Sequence, residues 1–427
     1  MKILHLNTWD INGGAARAAF RLHQGLRTMG LSSQMLVQEK TSDDPTVFGS
    51  PTQLNQGIAR SKNTLDLLPL KFFYPNRDSV SSFSLQWLPD RVTANVAQHN
   101  PDIIHLHWIC GGFTQIETLK RLQRPIIWTL HDMWPFTGGC HYSGQCDRYQ
   151  QSCGQCPQLN PHQTQDMSRW VWQRKLKAWK ELDLTLITPS TWLSDCARRS
   201  ALFQALPIET IPNGIDTRVY RPIEKHLARK LLGLPLDKKL ILFGSIKATQ
   251  DRRKGFHLLQ PALKQLSQSG WEEQAEVVII GASKPSEAPD LGLKTHYLGT
   301  QKDDLTLALI YSCADLFVLP STEDNLPNTL MEALACGIPC VGFKIGGIPD
   351  LIEHQQNGYL AQAFEVEDLA QGIAWILDDP ARYQKLAQRA RAKVEQEFSL
   401  DIQSQHCSSL YLKVLERARS HSHSKFS

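Results

Sequence analysis

The 427-residue chain has no apolar run approaching the ~20 residues that cross a bilayer, so no spanning helix is expected. Its opening residues, MKILHLNTWDING, do not read as a secretory leader. One Lys precedes a short apolar run that His5 and Asn7 interrupt. The expected setting is cytoplasmic. There the ten cysteines are thiols or metal ligands rather than disulfides. The charge excess is small, +4 from 46 basic and 42 acidic residues, and gives no basis for a nucleic-acid partner. The Gly-x-Gly-x-x-Gly fingerprint is missing, which disfavours a nicotinamide cofactor.

What is present is a succession of short Ile-, Leu- and Val-rich runs alternating with helical patterns. KILHLN (2–7), SQMLVQ (33–38), DIIHLHW (102–108), PIIWTL (125–130), DLTLIT (183–188) and IETIPN (208–213) fill the first half. KLILFGS (239–245), EVVIIG (276–281), THYLG (295–299), DLFVLP (315–320), IPCVGF (338–343) and NGYLA (357–361) fill the second. Such runs read as buried strands of parallel sheets. Residues 213–238, rich in Pro, Gly and charge and without a strand signal, read as a linker. The expectation is an α/β chain of two doubly wound, Rossmann-like domains, 1–213 and 214–398, facing a central cleft. An amphipathic helix at about 399–417 packs back on the first domain, and a polar tail at 418–427 is disordered. Residues 41–100 show few strand signals and read as an insertion or acceptor-side loops. Ligands in such sheets sit beyond the carboxyl ends of the strands, so the residues that follow each strand are the functional candidates.

Four groups stand in those places. Gly13-Gly14 follows the first strand and opens a helix, which suits either a phosphate at the helix N-terminus or a plain tight turn. His131 follows PIIWTL and can exchange a hydrogen bond with a substrate hydroxyl. His105 and His107, two apart inside a strand, are expected to be packed and structural. Arg252, Arg253 and Lys254 follow the first strand of the second half. They can neutralise a diphosphate or form a solvated basic loop. EDNLPNTLMEALACG (323–337) places Asp324 in a turn and Glu332 in the following helix, where a carboxylate can accept both hydroxyls of a ribose.

With these residues in order, the chain resembles the GT-B-fold glycosyltransferases of family 4, whose signature is Glu-x7-Glu. The matching positions are Asp324 and Glu332, within LPSTEDNLPNTLMEALACGIPCVGFKIGGIPDLI (319–352). GGAARAAFRLHQGLRTMG (13–30), TLHD (129–132), TPSTWL (188–193), IPNGID (211–216), RKGFHLL (253–259) and NGYL (357–360) follow the family's order along nearly the whole chain. The resemblance implies GT-B architecture and transfer of a sugar from a nucleotide-sugar, most simply a UDP- or GDP-sugar, to a glycan or lipid-linked acceptor. It implies retention of anomeric configuration, with the diphosphate itself taking the acceptor proton. No cofactor is required. By the same resemblance Glu332 binds the donor ribose, Asp324 lies by the donor sugar and Lys254 binds the diphosphate. His131 lies by the reacting sugar, and Gly13 and Gly14 approach the phosphates. Arg253, Asn325, Leu326 and Asn328 complete the donor contacts. Two positions depart from the family: Asp324 stands for its first Glu, and Gly244-Ser245 stands for its Gly-Arg. A nucleotide-sugar epimerase and a non-catalytic sugar-nucleotide-binding protein are the alternatives.

Two further stretches lie outside that set. CHYSGQCDRYQQSCGQC (140–156) gathers Cys140, Cys146, Cys153 and Cys156, a candidate structural zinc site with His141 as a spare ligand. The alternative is a loop of buried or redox-labile thiols. RWVWQRKLKAWKEL (169–182) places Trp172, Leu176, Trp179 and Leu182 on one helical face, with Arg174, Lys175 and Lys177 on others. Core packing is the favoured role of that stripe. Peripheral contact with an anionic membrane face is the other.

Overall fold

The computed structural model describes residues 1–49, 53–77, 82–159, 163–244, 251–285 and 287–424. The chain divides into two units, Met1–Pro212 with Gln403–Ser427, and Asn213–Ile402. The first holds a seven-stranded sheet ordered β3-β2-β1-β4-β5-β6-β7. Its strands are β1 (Lys2–Trp9), β2 (Ser32–Glu39), β3 (Val47–Phe48), β4 (Ile103–Leu106), β5 (Ile126–Thr129), β6 (Leu184–Thr188) and β7 (Ile208–Thr210). The second holds a six-stranded sheet ordered β10-β9-β8-β11-β12-β13. These are β8 (Lys239–Gly244), β9 (Ala275–Ile280), β10 (Thr295–Tyr297), β11 (Leu316–Leu319), β12 (Cys340–Phe343) and β13 (Gly358–Ala361). All pairings between these strands are parallel.

The apolar runs become strands because both faces of each sheet are covered. In the first unit, Leu4, Leu6, Ile104, Leu106, Trp128 and Leu186 pack on one face. Ile3, Ile103, Ile127 and Ile187 pack on the other against Cys407, Leu410, Tyr411 and Val414 of the C-terminal helix. Full burial of each such side chain stabilises the fold by about 1.5–3 kcal/mol.

Three segments differ from the sequence expectation. The 213–238 stretch belongs to the second unit and contains the helix Lys225–Leu232. Its buried Arg229 donates to Asp315 Oδ2 at 2.6 Å and to the Cys313 carbonyl at 2.9 Å, and Lys225 takes Asp315 Oδ1 at 2.8 Å. Two ion pairs on one buried carboxylate fasten what composition reads as a linker. Between 41 and 100 the chain forms β3 and the helices Gln53–Asp66, Leu68–Phe73 and Val92–His99. The terminal helix Leu400–Ser424 runs past residue 418, where a disordered tail was expected, and residues 425–427 lie outside the described residues. Arg417 anchors its last turns on Asp183 at 2.6 Å and on the Thr185 hydroxyl at 3.0 Å.

A row of imidazoles crosses the first sheet. His5 Nδ1 lies 2.9 Å from His107 Nε2, and His107 Nδ1 lies 3.1 Å from His131 Nε2. His105 bonds the Tyr411 hydroxyl at 2.7 Å and Thr129 Oγ1 at 2.8 Å, so His105 and His107 are packed within the sheet. Burial holds His5 and His107 well below the ordinary imidazole range, His105 at about 3, and His23 and His131 at about 4. In the unfolded chain all five titrate near 6.5. Between about pH 4 and 6.5 the unfolded state therefore binds more protons. The stability these groups confer is complete above about 6.5 and lost as pH falls. The melting temperature is expected to drop between pH 6.5 and 5, above the carboxylate range. A flat profile there, followed by a fall only below pH 4.5, would contradict the neutral histidine row.

Candidate active site

Each sheet reverses its strand order once, and the residues following the central strands meet there. In the second unit the reversal lies between the neighbours β8 and β11. The turn Arg252–Lys254 precedes the helix Phe256–Leu266, and the 320–327 loop follows β11. Thr322 N–H donates to the Arg253 carbonyl at 2.8 Å. Gly255, at φ 74°, comes so close that a Cβ would stand 1.7 Å from the Pro320 carbonyl oxygen. Only glycine lets the two loops touch.

Their contact is charged. Lys254 Nζ donates to Asp324 Oδ2 at 2.8 Å, and Arg253 Nη1 lies 3.6 Å from the same oxygen. Arg253 Nη1 also donates to the Glu323 carbonyl at 2.8 Å. Ser321 Oγ and the Asn325 N–H complete the carboxylate at 3.3 and 3.2 Å. Burial pushes the Asp324 carboxyl up, but the Lys254 ammonium and the Arg253 guanidinium outweigh it. They hold the group below the usual carboxylate range, so Asp324 is ionised. A Cβ on Gly346 would stand 2.1 Å from the Asp324 carbonyl oxygen, which the Gly347 N–H takes at 3.1 Å. The β12 side of the loop is thereby clamped as well. Lys254 and Arg253 keep 18% and 28% of their side chains exposed, so they can meet a ligand anion while bound to Asp324. Arg252 is exposed, and its bland reading as a solvated side chain stands.

Glu332 sits in the second turn of the helix Asn328–Ala335, buried at 3%, and its Oε2 accepts the Tyr311 hydroxyl at 2.9 Å. The start of that helix has Pro327 at the cap position, no side-chain cap and no acid in its first turn. Its leading N–H groups and dipole therefore favour an anion. Asn325 is buried beside Asp324, and Asn328 opens the helix. The Leu326 side chain is 5% exposed within the hydrophobic core, so only its backbone is left for a donor contact. Ser245 lies outside the described residues.

In the first unit the reversal lies between β1 and β4. Gly13, at φ 98° and ψ 164°, caps the helix Gly14–Thr28, again with no side-chain cap and no acid in the first turn. A side chain at Gly13 would meet no atom within 4 Å; the backbone angle is what requires glycine. His131, at the end of β5, is half-buried. Burial lowers its imidazole to about 4 despite the opposing Asp132 charge, so it is neutral at pH 7. Asp132 is a structural hub: its oxygens accept from His141 Nδ1 at 2.6 Å, Trp108 Nε1 at 2.9 Å and the Trp134 N–H at 2.9 Å. Trp9 and Trp108, at the ends of β1 and β4, stack with ring centroids 5.0 Å apart. Sequence reasoning missed this half-buried pair. Its signal was an aromatic residue at the carboxyl end of both strands that flank the reversal.

The helix Met167–Trp179 buries Trp172 and Trp179, in keeping with core packing, while Leu176 is 39% exposed. Lys175 is fully buried, contrary to its expected place on a polar face. It stands three residues after Trp172 and four after Val171, on the same face. Among the described residues no helix is long and apolar enough to cross a membrane.

Comparison with known proteins agrees with this fold. Residues 225–393 match the family model for glycosyl transferases group 1, and residues 12–219 match that for glycosyltransferase family 4. Sucrose-phosphate synthase of Thermosynechococcus elongatus superposes with a TM-score of 0.71 at 20% identity, covering 98% of this chain and 100% of that one. Anabaena HepE, in complex with UDP and glucose, superposes at 0.62 with 20% identity, covering 96% and 99%. The putative colanic acid biosynthesis glycosyl transferase WcaC of Escherichia coli (strain K12) is 24% identical over 387 residues, 87% of this chain and 90% of that one. The N-acetyl-alpha-D-glucosaminyl L-malate synthase of Bacillus anthracis is 28% identical over 218 residues, 49% of this chain and 54% of the relative. The chain thus aligns with about half the length of that enzyme. Two parallel α/β units of this kind match the GT-B fold of these solved structures. With both family models matched in order along the chain, it belongs to glycosyltransferase family 4.

Asp324→Asn removes the counter-ion that Lys254 and Arg253 share. Because both cations are partly solvated, the expected loss is about 1–3 kcal/mol, less than for a fully buried pair. Urea unfolding reads it. An unchanged midpoint would mean that the ion cluster does not hold the two loops together.

Proposed function

We propose that the chain is a retaining glycosyltransferase. It moves a sugar from a nucleotide-sugar donor to a hydroxyl of a glycan or lipid-linked acceptor, in exopolysaccharide, capsule or glycolipid assembly. The observation that carries this is the pair of cations Lys254 and Arg253, held by Asp324 at the strand reversal of the second unit. A diphosphate departs as an anion, and two positioned cations beside an uncapped helix start stabilise that charge where it develops. The names of relatives support the substrate class: HepE has been crystallised with UDP-glucose, and WcaC is named for colanic acid biosynthesis.

The bond from the anomeric carbon to the diphosphate oxygen breaks, and its electron pair stays with the diphosphate. The acceptor oxygen attacks on the face that the diphosphate leaves, and its proton passes to the departing phosphate oxygen. Lys254 and Arg253 hold the leaving group, so its departure needs no metal in this scheme. Asp324 aims both cations and lies by the donor sugar. Glu332, steadied by Tyr311, accepts the ribose hydroxyls, with Asn325, Asn328 and the Leu326 backbone beside it. In the first unit Gly13 and Gly14 begin a helix whose dipole suits a phosphate. Neutral His131 exchanges a hydrogen bond with the sugar without adding charge.

The test is a panel of UDP- and GDP-sugars incubated with and without glycan and lipid-linked acceptors, with products resolved by mass spectrometry. Acceptor-dependent donor consumption with retained configuration is the expected result. An epimerised donor formed without acceptor would replace this function with epimerisation, and binding without turnover would make the chain a sugar-nucleotide-binding protein. Glu332→Ala is expected to weaken nucleotide binding by on the order of 1–3 kcal/mol through lost ribose hydrogen bonds. Unchanged affinity would remove Glu332 from the donor site.

A further inference from the structure

Cys140, Cys146, Cys153 and Cys156 line one small cavity of about 20 Å³, together with Thr137, Gly138 and Ser168. All four are free thiols. Backbone N–H groups face two of the sulfurs, Gly138 that of Cys153 and Gln158 that of Cys156, while the Leu159 N–H donates to the Cys156 carbonyl at 3.0 Å. An N–H dipole facing a sulfur favours its charged form. The Cys153–Cys156 turn needs two left-handed residues, Gly154 at φ 139° and Gln155 at φ 50°. Gly138 is pressed so near Cys153 that a Cβ there would stand 2.7 Å from the cysteine Cβ. His141 is not part of this group, since its two nitrogens are taken by Asp132 and Ser84.

A second, independent feature points to charge in the cavity. Lys175 is fully buried and, among the described residues, makes no ion pair with a carboxylate. Its ammonium donates to the carbonyls of Trp134 and Thr137 and lies 3.7 Å above the Trp134 ring. The ionisable groups that act on it are the thiols of Cys110, Cys153 and Cys140 and the Asp132 carboxylate. An ammonium placed this deep costs several kcal/mol unless an anion faces it. Neutral thiols supply none, and the Asp132 oxygens are already taken by His141, Trp108 and Trp134. Four thiolates round one divalent ion supply a net dianion.

We propose that Cys140, Cys146, Cys153 and Cys156 hold a structural zinc ion as a tetrathiolate, with Lys175 as its buried counter-ion. Each thiol gives up its proton to solvent as the metal enters. Among the described residues, the group whose donor atoms all stand within 4.8 Å of one another is His5, His105 and His107, and the sulfurs do not form such a group. Binding therefore draws the sulfurs inward. The histidines are the competing metal site. Zinc is favoured over a hard cation because thiolate is a soft ligand. The site is remote in role from the transfer chemistry and would stand even if the chain bound its donor without turnover.

The test uses the full-length protein purified reduced and without added metal. Elemental analysis is expected to find about one zinc per chain. Exchange for cobalt is expected to give the intense visible absorption and thiolate-to-metal charge transfer of a tetrahedral thiolate site. The Cys153→Ser/Cys156→Ser variant should lose the zinc. Lys175→Met should retain it but release it to a chelator with about 10–100-fold weaker affinity. Zinc retained in the double variant would assign the metal to the histidines and overturn the proposal. So would a wild-type protein that holds no zinc and gives no cobalt–thiolate spectrum, a reading independent of whether the variants fold.

Discussion

A parallel strand gains its neighbour only through a crossover, so a sheet that grows first one way and then the other brings two unconnected loops side by side at the reversal. In the second unit those loops follow β8 and β11. Asp324 supplies the carboxylate that joins them, and Lys254 and Arg253 supply the opposing charge. Gly255 and Gly346 supply the missing side chains without which the loops could not approach. Position, charge and steric allowance thus converge on one carboxylate. The same topology in the first unit brings the open helix start at Gly13 and the Trp9–Trp108 pair to the ends of β1 and β4.

Burial does the electrostatic sorting. Asp324 and Asp132 are both buried, yet both remain ionised because each is surrounded by donors or cations. The histidines of the first sheet lie as deep, with no carboxylate among the described residues at hydrogen-bond distance from His5, His105 or His107, and stay neutral. Burial keeps His131 neutral as well, against the opposing Asp132 charge. A neutral imidazole can exchange a hydrogen bond without adding charge.

Most of the fold was legible because buried parallel strands announce themselves as short apolar runs, and each expected run became a strand. β3 was not, since two residues carry no period. The helix at 225–232 hid behind Pro, Gly and charge. Its stability comes from Asp315, some 90 residues away in sequence, which no local pattern reveals. The placement of Lys254 and Asp324 after strands and of Glu332 in the following helix was legible from the apolar runs. The counter-ion geometry was not, because it depends on how two loops dock. Leu326 shows the limit of carrying a motif across: its side chain serves the core. Lys175 shows the converse. A cation on a helix reads as solvated, and only the carbonyls of Trp134 and Thr137, brought in by tertiary packing, explain why it is buried.

The most direct test of the charged junction is calorimetric titration of the wild type and Lys254→Ala with a nucleoside diphosphate and with the matching nucleoside. If Lys254 holds the leaving group, the variant loses affinity for the diphosphate while its affinity for the nucleoside is unchanged. Equal losses for both ligands, or none for either, would contradict the assignment of the Asp324–Lys254–Arg253 cluster to the donor phosphates.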